Sequence, residues 1–247
     1  MIRSRALALA LTLAAAVALL AVPASAQALN VYAATSLTTA FPQISSAVAY
    51  SFGGSNTLQL QIERGAPADV FASASPDEAQ ALFREGRCTR PVTFATNTLV
   101  LLVPKSNPAG IRSVYSLRAG GLRLAIGNAA VPIGAYTRKL LARLRLSSVL
   151  QRNTVSQESN VGGVVAKVAL ASADAGFTYL TDGRAAADRT RSIALPRWAQ
   201  PPVRYQICAV KRPGADTSGA QNFISRITTR AGRAVLKRNG FGLPPRG

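Results

Sequence analysis

Short apolar runs alternate with amphipathic stretches along almost the whole chain, and this alternation leaves few architectures open. Residues 28–34, 47–52 and 69–73 read as strands. Between them lie a helix entered through Thr35-Ser36, a Gly53-Gly54-Ser55-Asn56 turn with a helix over 57–63, and a helix opened by Ser75-Pro76. The pattern restarts with a buried-type strand at 97–104 and a strand at 122–126. A loop at 129–134 then leads into a helix with Tyr136, Leu140, Leu141 and Leu144 on one face. A helix over 161–171, a strand over 175–179, a return strand over 203–210 and one final helix over 219–238 complete the series. Strands alternating with helices predict an α/β fold with mostly parallel sheet, and the second set of βα units predicts a second lobe.

The chain can fill such a fold. It has 247 residues, of which 48% are hydrophobic and 16% charged, which excludes a disordered tail. Residues 1–26 carry Arg3 and Arg5, an Ala/Leu/Val run and Pro23-Ala24-Ser25-Ala26. That is the form of a signal peptide, with cleavage expected after Ala26 and export to a periplasmic space. No Cys stands near the cleavage point and no later stretch is apolar enough to span a bilayer, so the mature chain is expected to be free of the membrane. Export lowers the formal charge from +19 to +17, because Arg3 and Arg5 leave with the leader. Cys88 and Cys208 both lie in the exported part, where one disulfide between them is expected, with two buried free thiols as the alternative.

Several chemistries are excluded. With no histidine in the chain, Ser-His-Asp and Cys-His nucleophile pairs cannot form, and a zinc site has no ligand cluster. No lysine has a serine three residues before it, and no phosphate-binding Gly-rich loop ends in Lys-Ser or Lys-Thr. Nothing marks a pair of carboxylates as a glycosidase pair, so an enzyme, such as a carboxylate-dependent hydrolase, is not expected. The basic residues are spread rather than clustered and aromatics make up only 6%, which argues against nucleic acid. Arg226, Arg230, Arg233 and Lys237 read as the solvated face of the final helix.

Uncharged polar residues gather where strands end and helices begin, at Thr35-Ser36, Ser55-Asn56-Thr57 and Pro132-Ile133-Gly134. Such junctions present free backbone N–H groups at the positive end of a helix, which suits an anion. Two of them in one lobe facing a third in the other predict a binding cleft.

The wording of these loops resembles a family. The stretches 31–38, 51–58 and 61–71, the last containing Gly65-Ala-Pro-Ala-Asp-Val-Phe71, closely resemble the periplasmic molybdate-binding proteins of ABC importers. So do 97–104, 131–136, Asn160-Val161-Gly162 and Gly176-Phe-Thr-Tyr179. The resemblance implies a two-lobed type II periplasmic binding fold, with residues 27–98 and 207–247 in one lobe and 99–206 in the other. It implies a monomeric receptor that passes molybdate, and with it tungstate, to a permease driven by an ATPase. It implies no cofactor and no protein ligand to the metal itself. Ser36 and Ser55 would donate through hydroxyl and main-chain N–H groups, Ile133 and Val161 through main-chain N–H groups, and Tyr179 through its hydroxyl. Hydrogen bonds to a charged group are worth roughly 1.5–3 kcal/mol each, so about six can offset desolvation of a dianion without a cation in contact. A shell of donors alone favours fully deprotonated anions over hydrogen phosphate, with sulfate, thiosulfate and ferric iron as alternative ligands of the same fold. Two positions depart from the family's pattern: the segment between Ser36 and Phe52 is short, and Ile133 stands where a small residue is commoner.

Overall fold

A computed structural model describes residues 28–244; the expected leader and its cleavage point lie outside the described residues. The first lobe opens with β1 (Asn30–Ala34), a short 3-10 turn (Thr35–Leu37), α1 (Phe41–Ile44), β2 (Ala49–Gly53) and α2 (Ser55–Glu63). It continues with β3 (Val70–Ser73), α3 (Pro76–Arg84) and β4 (Val92–Asn97). The second lobe holds β5 (Leu99–Pro104), β6 (Leu124–Gly127), α4 (Pro132–Arg143), α5 (Ser148–Asn153), β7 (Thr154–Glu158), α6 (Val161–Ala169), β8 (Ala175–Tyr179), α7 (Leu180–Ala185) and β9 (Thr190–Ala194). The chain then returns through β10 (Val203–Ala209), α8 (Thr217–Thr228) and α9 (Arg230–Arg238) to the first lobe.

Each lobe is built on a five-stranded mixed sheet, ordered β2-β1-β3-β10-β4 in the first and β7-β6-β8-β5-β9 in the second. In each, four strands run in the same direction and one long strand is inserted antiparallel: β10 between β3 and β4, and β5 between β8 and β9. Leu99–Pro104 is buried along its whole length, as its unbroken apolar sequence requires of a strand covered on both faces. Aromatic rings fill the first lobe around Phe41, with the Phe94 and Phe223 rings 5.8 and 5.6 Å from it.

The run 97–104, expected as one strand, is divided at Thr98, where the chain leaves one sheet for the other. The expected return after residue 206 falls inside β10, which pairs with β4 from Val203 onward. Gln200 ties the two crossings together: its Oε1 accepts from Leu99 N–H at 2.9 Å and its Nε2 donates to Leu99 O at 2.8 Å. Asp69, the acid of the Gly-Ala-Pro-Ala-Asp stretch, is buried at the entrance to β3. It accepts from Asn30 N–H (2.9 Å), Asp216 N–H (3.1 Å) and Arg212 Nη2 (2.6 Å). This carboxylate therefore pins β1, β3 and the approach to α8 to one another, a fully satisfied buried charge.

Three further expectations are corrected. The final helix is two, because Thr229 takes extended backbone (ψ 166°) and its Oγ1 accepts from Gly232 N–H at 3.2 Å, capping α9. A Cβ at Gly232 would overlap the Arg226 carbonyl, so the turn is sterically specific, and Ala231 and Ala234 face solvent rather than the core. The expected 129–134 loop ends early, since α4 starts at Pro132, a residue with no N–H to lose at a first helical position. Cys88 and Cys208 are not bridged: both are free, fully buried thiols in one apolar cluster behind the first sheet. Their mutual hydrogen bond, together with burial, pushes the Cys208 thiol well above its usual range. The short segment before β2 leaves α1 a single turn, as its length implies. Among the described residues no helix is long and apolar enough to cross a membrane.

Candidate functional site

The chain reverses tightly at the end of β1, and the 3-10 turn holds Ser36 almost buried with its Oγ 2.8 Å from the Tyr205 hydroxyl. Beside it, α2 begins two residues earlier than its sequence implies: Gly54 is the N-cap and Ser55 the first helical residue. Ser55 Oγ accepts from Ala74 N–H at 3.0 Å, so its own proton is left to be donated. The first internal bond of this helix runs from Leu58 N–H to Gly54 O (3.0 Å), and the earlier N–H groups are not used by the helix.

The second lobe supplies two more helix starts. In α4 the first internal bond is Ala135 N–H to Val131 O (3.0 Å), which leaves Ile133 N–H uncommitted to the helix. In α6, Asn160 Oδ1 accepts from Gly163 N–H (3.1 Å), and Val161 N–H precedes the capped turn. Tyr179 ends β8 and is the N-cap of α7, where its backbone N–H donates to Asp182 Oδ2 at 3.2 Å. Its side chain is 1% exposed, and its hydroxyl has no hydrogen-bond partner among the described residues. Burial pushes the Tyr179 phenol well above its usual range, so the group stays protonated and donates. Burial also raises Asp182, to about 7.

All five residues expected from the sequence, Ser36, Ser55, Ile133, Val161 and Tyr179, line one cavity between the lobes. Its volume is about 20 Å³, little more than the space that holds one water by the same measure. No carboxylate, amine, guanidinium or thiol is among the lining residues. Three helices, α2, α4 and α6, present their positive ends to it. The lobes meet at its edge with almost no clearance. A Cβ at Gly54 would overlap the Ser159 carbonyl, and one at Gly162 would sit 2.9 Å from Thr35 Cγ2. Chemically, this is a small enclosure lined by neutral donors, with neither a nucleophile activated by a base nor a metal-binding side chain among its lining residues.

Residues 29–242 match the bacterial extracellular solute-binding proteins. The chain belongs to this family. Over 229 residues this solute-binding protein is 34% identical to the molybdate-binding protein ModA of Mycobacterium tuberculosis, covering 89% of this chain and 86% of that one. It is 30% identical to the ModA protein of Escherichia coli, covering 86% and 88%. Among solved structures it is similar to the Azotobacter vinelandii periplasmic molybdate-binding protein, with a TM-score of 0.76, 26% identity, and 88% and 100% coverage. The sulfate-binding protein SubI of Mycobacterium tuberculosis shares the fold at a TM-score of 0.73 and 13% identity, with 86% and 85% coverage.

Sequence reasoning passed over some residues of this solute-binding protein's cavity. Thr35 lines it, and its buried Oγ1 has no partner among the described residues. Asn160 lines it as the cap of α6. The Thr35-Ser36 doublet and the Asn-Val-Gly entry to α6 were visible signals for both. Tyr205, behind Ser36, had none, because it sits in the middle of a strand.

Proposed function

We propose that this protein is a periplasmic receptor that captures molybdate between its lobes and delivers it to an ABC permease coupled to an ATPase. The observation that carries this reading is the convergence of two serine hydroxyls, two free helix-start N–H groups and the unpartnered Tyr179 hydroxyl on one small cavity without charged side chains. Named molybdate-binding relatives spanning most of the chain support it. In the proposed complex Ser36 and Ser55 donate from the first lobe, and Ile133 N–H, Val161 N–H and the Tyr179 hydroxyl from the second. Tungstate, with the same charge and tetrahedral shape, is bound as well. The leader at 1–26 is removed after Ala26, and the mature chain acts as a soluble monomer without catalysis, cofactor or nucleic acid.

Titration calorimetry with molybdate, tungstate, sulfate and phosphate tests the assignment. Submicromolar binding of the first two is expected, with sulfate much weaker and phosphate weakest. Tight sulfate binding without a molybdate response would make the protein a sulfate receptor on the same scaffold.

A further inference from the structure

The hydroxyl of Ser36 belongs to a chain of hydrogen bonds whose direction can be read from the structure. Thr98 N–H, which can only donate, is 2.9 Å from Asn97 Oδ1. That fixes the orientation of the Asn97 amide and turns its Nδ2 toward Thr181 Oγ1 (3.0 Å) and the Tyr205 hydroxyl (3.4 Å). An amide nitrogen can only donate, so Tyr205 accepts there. Its remaining contact is Ser36 Oγ at 2.8 Å. Were Ser36 to donate to Tyr205, the phenolic proton would have no acceptor among the described residues, inside a site where Tyr205 is fully buried. The phenol therefore donates to Ser36, and the Ser36 proton is sent into the cavity. Ser55 is held the same way, with its Oγ accepting from Ala74 N–H at 3.0 Å.

We propose that Tyr205 and Asn97 are positioning residues for anion selectivity. Asn97 donates to Tyr205, and Tyr205 donates to one lone pair of Ser36 Oγ, so that the Ser36 proton is offered to the ligand and an oxyanion carrying a proton is disfavoured. The inference rests on the proposed function, since it takes a small oxyanion to be the ligand. It adds residues outside the cavity, one of them next to the Thr98 crossing, that set which protonation state is accepted. Without the Tyr205 hydroxyl, both lone pairs of Ser36 Oγ are free and its proton is no longer directed, so the hydroxyl can rotate to accept from the O–H of hydrogen phosphate.

Sulfate and phosphate are nearly equal in size, so their affinity ratio reports the proton and not the fit. Tyr205→Phe is expected to bring the sulfate-to-phosphate ratio at pH 6.5 down by about tenfold, while molybdate weakens by only a few-fold. The phosphate gain should shrink at pH 8.5, where the dissolved anion carries fewer protons. Asn97→Asp is the second variant: its carboxylate accepts from Tyr205, reverses the chain, and should weaken sulfate and molybdate more than phosphate. Circular dichroism confirms that each variant is folded, and either one suffices if the other is not. A ratio unchanged from wild type, or equal loss of all three anions, overturns the proposal. Wild-type titration with molybdate decides the ligand assignment separately, because the ratio can be read whichever anion wild type binds most tightly.

Discussion

The two lobes build their halves of the cavity by different means. The first commits side chains: Ser36 and Ser55 each have their acceptor side occupied by a protein donor, and each must be a serine for the arrangement to work. The second adds one side chain, Tyr179, and otherwise commits backbone at Ile133 and Val161, whose apolar side chains are buried in the core while their N–H groups are left free by the helix starts. A site half written in side chains and half in main chain should respond unequally to substitution.

The largest effect should come where the halves touch. Gly54→Ala places a methyl group against the Ser159 carbonyl and keeps the lobes apart. Molybdate affinity should fall by roughly 100-fold or more, as several charge-assisted hydrogen bonds are lost together. Titration calorimetry would measure this, and a loss below threefold would show that lobe contact is not required. Next, Ser36→Ala and Ser55→Ala should each cost about 1.5–3 kcal/mol of binding, roughly 10- to 100-fold. Unchanged affinity in both would mean that the first lobe does not use its side chains. Tyr179→Phe should weaken binding about tenfold, yet the ligand-free variant should melt no lower than wild type, since it loses a buried hydroxyl without a partner. Calorimetry of binding and of unfolding on the same sample would check both signs. The smallest effect is expected at Val161→Ala, with affinity within about threefold of wild type and stability lower by roughly 1 kcal/mol or more from the lost packing. A tenfold loss of affinity with little loss of stability would break the contrast between the lobes.

Much of this was legible in the sequence because the two signals involved are local. Unbroken apolar runs such as Leu99–Pro104 announce buried strands, and polar junctions such as Ser55-Asn56-Thr57 announce free helix starts, whereas Thr35-Ser36 opens only a 3-10 turn. What was not legible depends on distant partners. Nothing near Val203 reveals that this strand enters the first sheet antiparallel, because its direction is set by pairing with β3 and β4. The break at Thr229 lay hidden in a regular helical pattern, since two β-branched threonines with a glycine three residues on read equally as a helix interior and as a cap. Two cysteines in an exported chain point to a bridge, but their spacing does not tell a buried thiol pair from one. Tyr205 was invisible for the same reason as the sheet order: its partners Ser36 and Asn97 are 169 and 108 residues away.

The double hydrogen bond between Gln200 and Leu99 carries a kinetic meaning. A side-chain amide bonded to both polar groups of one residue behaves like an extra rung of sheet, so the two strands of chain that cross between the lobes move as a single strip. Such a strip bends far more readily than it twists. Opening about these crossings is then expected to follow one principal coordinate, with the donors of both lobes returning to the same register on closure. Release of the bound anion should accordingly follow a single exponential whose rate is that of opening itself, and Gln200→Ala, by freeing the strip to twist, should add a second phase.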